Sequence, residues 1–520
     1  MARGGGQGRL ECSPLSQSFP LYHSPSPLSP ASPLVPPSKR RPASSEGRGS
    51  RSGGGKRKGK KKGTSRGAGP RKPRASARKP EESNAGPTAE VVDSKEPERL
   101  AAEVIHPSSL DKDALRVVGR LQERGFEAYF VGGCVRDLLI GRRPKDYDVA
   151  TSARPGQVKR LFKNGRIIGR RFRLVHVTFG HKIIETATFR QAPKAQGTGD
   201  LLITEDNEYG TANEDAQRRD FTVNGLFLEP REHEVIDYVE GLQDLEDRVL
   251  RTIGTPKLRL LEDPVRIMRA VKFATRLDFR IEDETWDAMC SVAPELERSA
   301  PPRVFEEVLR LMRSGTAMGA FKMLRACGAL RSILPAQDIH LGARRGGPEE
   351  DHLRAELFWR LLEALDSEVH QGYEPTVAVV IAVLFNELVE REVDPQTRTR
   401  RGEPGDRMSV CRAVMDPLFE ATRLNRREFG RAQRLIASQS RFQALTNPSF
   451  SPLLFARQED FPEALDLFGL REKARGVGWD IFEAWQEIGK RAQVASEDEL
   501  EMERRRVRRR PKRGRRRRRK

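Results

Sequence analysis

The stretch from Ala128 to Asp148 constrains the fold more than any other. A short apolar run, Ala128-Tyr-Phe-Val131, meets Gly132-Gly133, a helix-like segment follows over residues 135–140, and Gly141 closes it. Asp146-Tyr-Asp148 stands thirteen residues beyond the second glycine. A strand that turns through two glycines into a helix presents bare backbone N–H groups at a helix N-terminus, a seat for an anion such as a triphosphate. Residues 146–149 read as a second strand. There, positions i and i+2 share a face with their Cα atoms about 6.6 Å apart. Two carboxylates so placed can share a Mg²⁺ or bridge two divalent cations about 3.5–4 Å apart. Each half is weak alone, because Gly-Gly turns are common and Asp is at home in exposed turns. At this order and spacing, the two together favour a strand–turn–helix–strand unit with an acidic face.

Two further elements extend the unit. Glu185 lies in the apolar segment Ile183-Ile-Glu-Thr-Ala-Thr188. A lone buried charge is costly, so this carboxylate is paired, exposed on an edge strand, or bound to a metal as a third ligand. The run Gln217-Arg-Arg-Asp-Phe-Thr-Val-Asn224 offers two guanidinium forks that match phosphate oxygens, with Asp220 beside them. The alternative is an ion pair on a helix surface.

Around these motifs, residues 111–125 read as a helix, 155–162 as another, and 174–179 and 182–188 as strands. Order is expected from about Ala101. From Leu258 onward the apolar spacing is helical almost throughout. The expected class is α+β, a mixed head followed by an all-α neck and body. Its segments are a basic low-complexity arm over 1–97, the head over 98–254, a helical neck over 255–315, a body over 316–503 and an Arg-rich tail over 504–520.

Charge explains the arms. Residues 1–80 carry 19 basic and 2 acidic residues, and residues 504–520 carry 14 basic and none acidic. Against the total of +21, the 423 residues between them carry −10. Such arms bury too little apolar surface to offset backbone entropy, so both are expected to be disordered. Their charge suits a polyanion, because each neutralised phosphate releases counterions. The Ser/Pro/Leu-rich residues 13–37 read as a low-complexity extension, with an organelle transit peptide as the other reading.

The longest apolar run, residues 377–385, is nine residues, far short of the roughly 20 that span a bilayer. Cys12, Cys134, Cys290, Cys327 and Cys411 are scattered without any CxxC. This argues against a disulfide scaffold or zinc ribbon and fits a reducing compartment.

Taken together, Gly132-Gly-Cys-Val-Arg-Asp137 with Asp146-Tyr-Asp148, Arg218-Arg-Asp-Phe-Thr-Val-Asn224 and Glu262-Asp-Pro-Val-Arg-Ile-Met-Arg-Ala270 resemble the class II nucleotidyltransferases of the polymerase-β superfamily, which comprise bacterial poly(A) polymerases and CCA-adding enzymes. The resemblance covers roughly residues 126–277 and implies a polymerase-β-like head that adds nucleotides to an RNA 3′ end without a template. Asp146 and Asp148 would hold Mg²⁺, with Mn²⁺ as a substitute and Glu185 as the further ligand. One ion would activate the primer hydroxyl and the other would steady the leaving pyrophosphate. Gly132, Gly133 and Arg136 would hold the triphosphate. Asp220 matches the essential Asp of the Arg-Arg-Asp motif, with Arg219 beside the nucleotide. Asp263 and Arg266 would read the base edge, although Asp263-Pro264 also reads as a helix cap followed by a first-turn proline. Gly225, where the family usually has Ala or Ser, is expected to loosen a helix by about 1 kcal/mol.

Three details favour the poly(A) branch, with ATP as substrate, over CCA addition to tRNA. They are Gly169-Arg-Arg-Phe-Arg-Leu-Val-His176, Asn207-Glu-Tyr-Gly210 with Asn213-Glu-Asp215, and the basic tail. The expected setting is a cytoplasmic monomer acting away from membranes, with the ribosome or RNA-degradation machinery as further candidate partners. A reading from another class is a non-catalytic RNA- or ribosome-binding protein on a decayed domain. Decay would remove the metal carboxylates first, and Asp146, Asp148, Glu185 and Asp220 all stand.

Overall fold

A computed structural model describes residues 96–169, 173–191, 208–342, 349–393, 407–422, 425–447 and 450–508. Residues 1–95 of the expected N-terminal arm and 509–520 of the tail lie outside them.

The head is built on one eight-stranded sheet. Its strands are β1 (Glu98–Ala101), β2 (Ala128–Val131), β3 (Asp148–Thr151), β4 (Gly165–Ile168), β5 (Leu174–Phe179), β6 (Lys182–Thr188), β7 (Phe227–Glu229) and β8 (Glu234–Asp237), in the order β1-β8-β7-β2-β3-β6-β5-β4. Every neighbouring pair is antiparallel except β3–β6, whose register sets Asp148 opposite Glu185. β2 is buried along its length. Phe130 packs edge-on against Tyr147 on one face, and Tyr129 and Val131 join Ala150, Phe189 and Phe227 on the other. The two-residue period of a strand thus feeds two cores.

Helix α1 (Lys112–Gln122) opens where Asp111 accepts hydrogen bonds from the backbone N–H groups of Asp113 and Ala114, and it buries Ala114, Val117, Val118 and Leu121. Helix α2 (Gly133–Leu139) follows β2 through Gly132, and α3 (Pro155–Leu161) follows β3. Strands at 174–179 and 182–188 form as the spacing predicts. Order starts earlier than expected, because β1 pairs with β8 from Glu98. Short β4, β7 and β8 lack a sequence signal strong enough to mark them.

The acidic strand differs from expectation. β3 begins at Asp148, and Asp146 stands in the bend before it. Neighbouring β2 ends at Val131, opposite Asp148, because Gly132 turns away with φ 74°. Asp146 therefore has no ladder partner, and strand pleating does not align the two carboxylates.

The neck contains α4 (Pro256–Glu262), α5 (Arg266–Leu277), α6 (Asp283–Val292) and α7 (Pro301–Met312). Its helical pattern is broken once, where Arg280–Ile281 pairs in parallel with Val249–Leu250 and ties the neck to the head. In the body, helix Val377–Glu392 carries the nine-residue apolar run and is buried from Ala378 to Val389 on all sides, as expected of a helix that is apolar all round. Trp485 and Phe442 centre an aromatic cluster, with the indole N–H donating to the Phe442 carbonyl at 2.8 Å. No helix among the described residues is long and apolar enough to cross a membrane.

The start of the expected Arg-rich tail is ordered. Helix Glu497–Arg508 includes Arg504, Arg505 and Arg506, which pair with Glu497, Glu501 and Glu503. Carboxylates three and four residues earlier neutralise these arginines, and Leu500 is buried.

Candidate active site

A cavity of about 500 Å³ opens where β2, α2, the Arg218–Asn224 turn and neck helices α5 and α7 converge. It is lined by Gly132, Gly133, Arg136, Asp146, Asp148, Arg219, Asp220, Asp263 and Arg266, nine of the ten residues singled out in the sequence. The tenth, Glu185, faces Asp148 across the β3–β6 ladder but does not line the cavity. Its side chain is about half exposed and lies 3.4 Å from His176 Nε2.

Asp148 sits on the first residue of β3 with its side chain open to solvent. Desolvation by the surrounding protein and the neighbouring Glu185 carboxylate push its pKa up to about 6, with a smaller push from Asp146 and an opposing pull from Arg219. Crowded carboxylate oxygens open to a cavity fit a hard divalent cation such as Mg²⁺. Among the described residues, no group of three or more His, Cys, Asp or Glu side chains is already arranged to hold a metal ion.

The arginines are individually secured. Arg136 is buried, donating from Nε and Nη2 to Asp137 Oδ1 (2.9 and 2.6 Å) and from Nη1 to Asn224 Oδ1 (2.5 Å). Arg219 donates to Asp215 Oδ2 at 3.0 Å and lies over the Phe227 ring. Gly132 is required by its positive φ of 74°, and Arg219 Nη1 lies 2.9 Å from where a Cβ would stand. Arg259 of α4 donates to the carbonyls of Arg218 and Arg219 at 2.6 and 2.8 Å, fastening the turn.

Asp220 has its hydrogen-bonding capacity largely spent within the protein. Oδ1 accepts from the Phe221 N–H and Asn224 Nδ2, and Oδ2 accepts from Arg269 Nε at 2.7 Å and pairs with Arg269 Nη2 at 2.6 Å. Burial pushes its pKa up, but Arg269 and Asn224 outweigh that and hold it below the ordinary value. Asp220 therefore holds the Arg218–Asn224 turn against α5.

Asp263 is held in a similar way. Arg303 of α7 forks onto it, Nη1 to Oδ1 at 2.8 Å and Nη2 to Oδ2 at 2.6 Å. Helix α5 begins at Arg266, two residues later than the cap-plus-proline reading expects, yet Asp263 Oδ1 still accepts from the Val265 N–H across Pro264 in the turn that leads into it. Arg266 donates from Nη1 to the Arg259 carbonyl and Glu262. Gly225 also departs from expectation. It follows the short turn Thr222–Asn224, and a Cβ there would meet Val239 Cγ2 at 2.5 Å, so lack of space rather than helix loosening accounts for it.

The sequence reading missed roles for Arg269 and Asn224, although both lie inside the quoted motifs. Arg303, forty residues from its partner, left no signal. Cys134, Asp137, Lys145, Phe273 and Arg276 complete the lining. Seven cationic side chains against five acidic ones leave the cavity net basic, suited to a triphosphate. Of the segments that favoured one branch, residues 170–172 and Asn207 lie outside the described residues.

A model described as poly A polymerase head domain matches residues 128–251, and one described as probable RNA and SrmB-binding site of polymerase A matches residues 278–341. Poly(A) polymerase I of Haemophilus influenzae is 39% identical over 289 residues, covering 54% of this chain and 63% of the relative. Poly(A) polymerase I of Salmonella typhi is 45% identical over 290 residues, covering 54% and 61%. The chain thus spans less than two thirds of these relatives' own length. The crystal structure of Bacillus stearothermophilus CCA-adding enzyme in complex with CTP superposes with a TM-score of 0.52 at 25% identity, covering 73% of this chain and 81% of that one.

Proposed function

We propose that this chain, whose residues 128–251 belong to the poly A polymerase head-domain family, is a template-independent polynucleotide adenylyltransferase that transfers AMP from ATP to RNA 3′ ends and releases pyrophosphate. The observation that carries the reading is the meeting of the Asp146–Asp148 pair, the Gly132-Gly133 turn and the Asp263/Arg266 wall in one net basic cavity. Asp146 and Asp148 would hold Mg²⁺ or Mn²⁺, with Glu185 across the ladder as the further ligand. Bound there, the ions would supply Lewis-acid activation of the primer hydroxyl and charge neutralisation of the leaving group.

The chain's own residues do the positioning. Gly132 lets Arg219 close over the turn, and the locked Arg136 and Arg219 guanidinium groups set a fixed positive field where the triphosphate lies. Asp220, through Arg269, holds head to neck. Arg266 and the clamped Asp263 offer a rigid edge to the base. Action as a cytoplasmic monomer in RNA turnover belongs to the same reading, as does the division into head (98–254), neck (255–315) and body (316–503).

A second reading, CCA addition to tRNA, draws on the likeness to the CCA-adding enzyme structure. One assay separates them, combining purified full chain and Mg²⁺ with either an unstructured RNA or a tRNA lacking its CCA end, and ATP with or without CTP. Long A-tails on generic RNA are expected. Addition that stops after C-C-A on tRNA would overturn the first reading, and no incorporation on either RNA would sink both.

A further inference from the structure

A second cleft of about 870 Å³ adjoins the cavity, lined by residues 104–106, 108–113, 138, 141–147 and 182–184. Lys145 and Asp146 line both spaces, so the cleft opens beside the carboxylate pair. Its own acids are already satisfied. Asp111 caps α1 and pairs with Lys182, and Asp113 pairs with Arg116 at 3.0 Å and with Lys182 at 3.7 Å. Its remaining cations are not. Lys112, Arg143 and Lys145 are exposed and have no carboxylate partner among the described residues, and Arg142 spends one N–H on the Arg276 carbonyl. Tyr147 is buried with its hydroxyl on the Ser109 carbonyl, whereas the His106 imidazole, hydrogen-bonded to Ser108, is exposed in the same lining.

We infer that this cleft seats the sugar–phosphate backbone of single-stranded RNA immediately upstream of its 3′ end. The inference rests on reading the neighbouring cavity as a nucleotidyl-transfer site. A strand lying over Lys112, Arg143 and Lys145 reaches the carboxylate pair at the shared Lys145–Asp146 edge, which brings its terminal hydroxyl to Asp146 and Asp148. Charged contacts to phosphates, together with stacking on the exposed His106 ring that any base can make, leave recognition blind to base sequence, as a primer of arbitrary sequence requires. A free anion such as pyrophosphate would meet the same charges, so the test must separate the two.

The test uses the full chain and a Lys112→Gln/Arg143→Gln variant, both positions being exposed and outside the catalytic set. Anisotropy of a short labelled unstructured RNA without ATP is measured across a salt series, alongside KM for RNA, KM for ATP and inhibition by inorganic pyrophosphate. For single strands the log–log salt slope falls by about 0.7 per lost phosphate contact, so a drop of about 1.4 is expected. KM for RNA should rise by roughly tenfold while KM for ATP holds. An unchanged slope overturns the inference, and so does weakened pyrophosphate inhibition with RNA affinity intact, which would assign the cleft to the free anion. If the parent chain extends no RNA at all, the transferase reading fails, while the anisotropy data still judge the cleft.

Discussion

Two sides of one cavity use the same residue type in opposite ways. On the head side, Asp146 and Asp148 are exposed with no arginine forked onto them among the described residues, and desolvation by the surrounding protein, then the Glu185 carboxylate, drive Asp148 up to about 6. Where head meets neck, each aspartate has its own arginine, Asp220 of the head with Arg269 and Asp263 of the neck with Arg303. A carboxylate already neutralised by the chain cannot hold a metal at full strength. One left without a partner lowers its free energy when a cation arrives. The contrast therefore separates binding groups from positioning groups without reference to motif names.

The sharpest way to break this contrast is Asp148→Ala. If the open pair carries the chemistry, nucleotide incorporation should fall by roughly a thousandfold, on the order of 4 kcal/mol of transition-state stabilisation, while the melting temperature holds or rises as like-charge crowding is relieved. Retained activity would end the distinction.

Arg269→Ala should have the opposite profile. It strands the buried Asp220 carboxylate, and breaking such a pair costs about 3–5 kcal/mol, readable as a shift in the denaturation midpoint. The pH dependence checks the cause. Asp220 has a lowered folded pKa, so the stability it contributes is present above the ordinary Asp value near 3.9 and is lost as pH falls through the lower folded value. Asp220→Asn should flatten that acid limb of the stability curve. An unchanged limb would mean that the pair is not what holds head to neck.

Arg303→Ala should have the smallest effect on stability, about 1 kcal/mol or less, because its guanidinium is half exposed. Its effect should appear in nucleotide choice. Freeing Asp263 lets the edge beside Arg266 adjust, and the ratio of ATP to CTP incorporation should fall. An unaltered ratio together with a lower melting temperature would make the clamp purely structural.

Much of the site was legible because its parts are local. Gly132-Gly133, Asp146-Tyr-Asp148 and Arg218-Arg-Asp220 each lie on one turn or strand end, and short-range geometry sets what they can present. Glu185 was legible as an unusual carboxylate, but its relation to Asp148 depends on which strands pair. The same is true of the departure at Asp146, which stands outside β3 because β2 stops one residue before the glycine turn. Arg504–Arg506 looked like free charge because composition ignores the glutamates one turn earlier, which take up these charges once the segment is a helix.

What residue order determined by itself was the donor chemistry: two glycines before a helix, acids spaced for cations, arginines for phosphate, apolar spacing for a helical body, and charge concentrated at the ends. What only the tertiary structure decided was pairing across long separations, Arg303 with Asp263, Arg269 with Asp220, and the second cleft meeting the first at Lys145 and Asp146. The physical reason is range. Backbone preference and side-chain type act over a turn or two of chain, whereas the ionic state and availability of a carboxylate depend on whichever charge packing brings within a few ångströms.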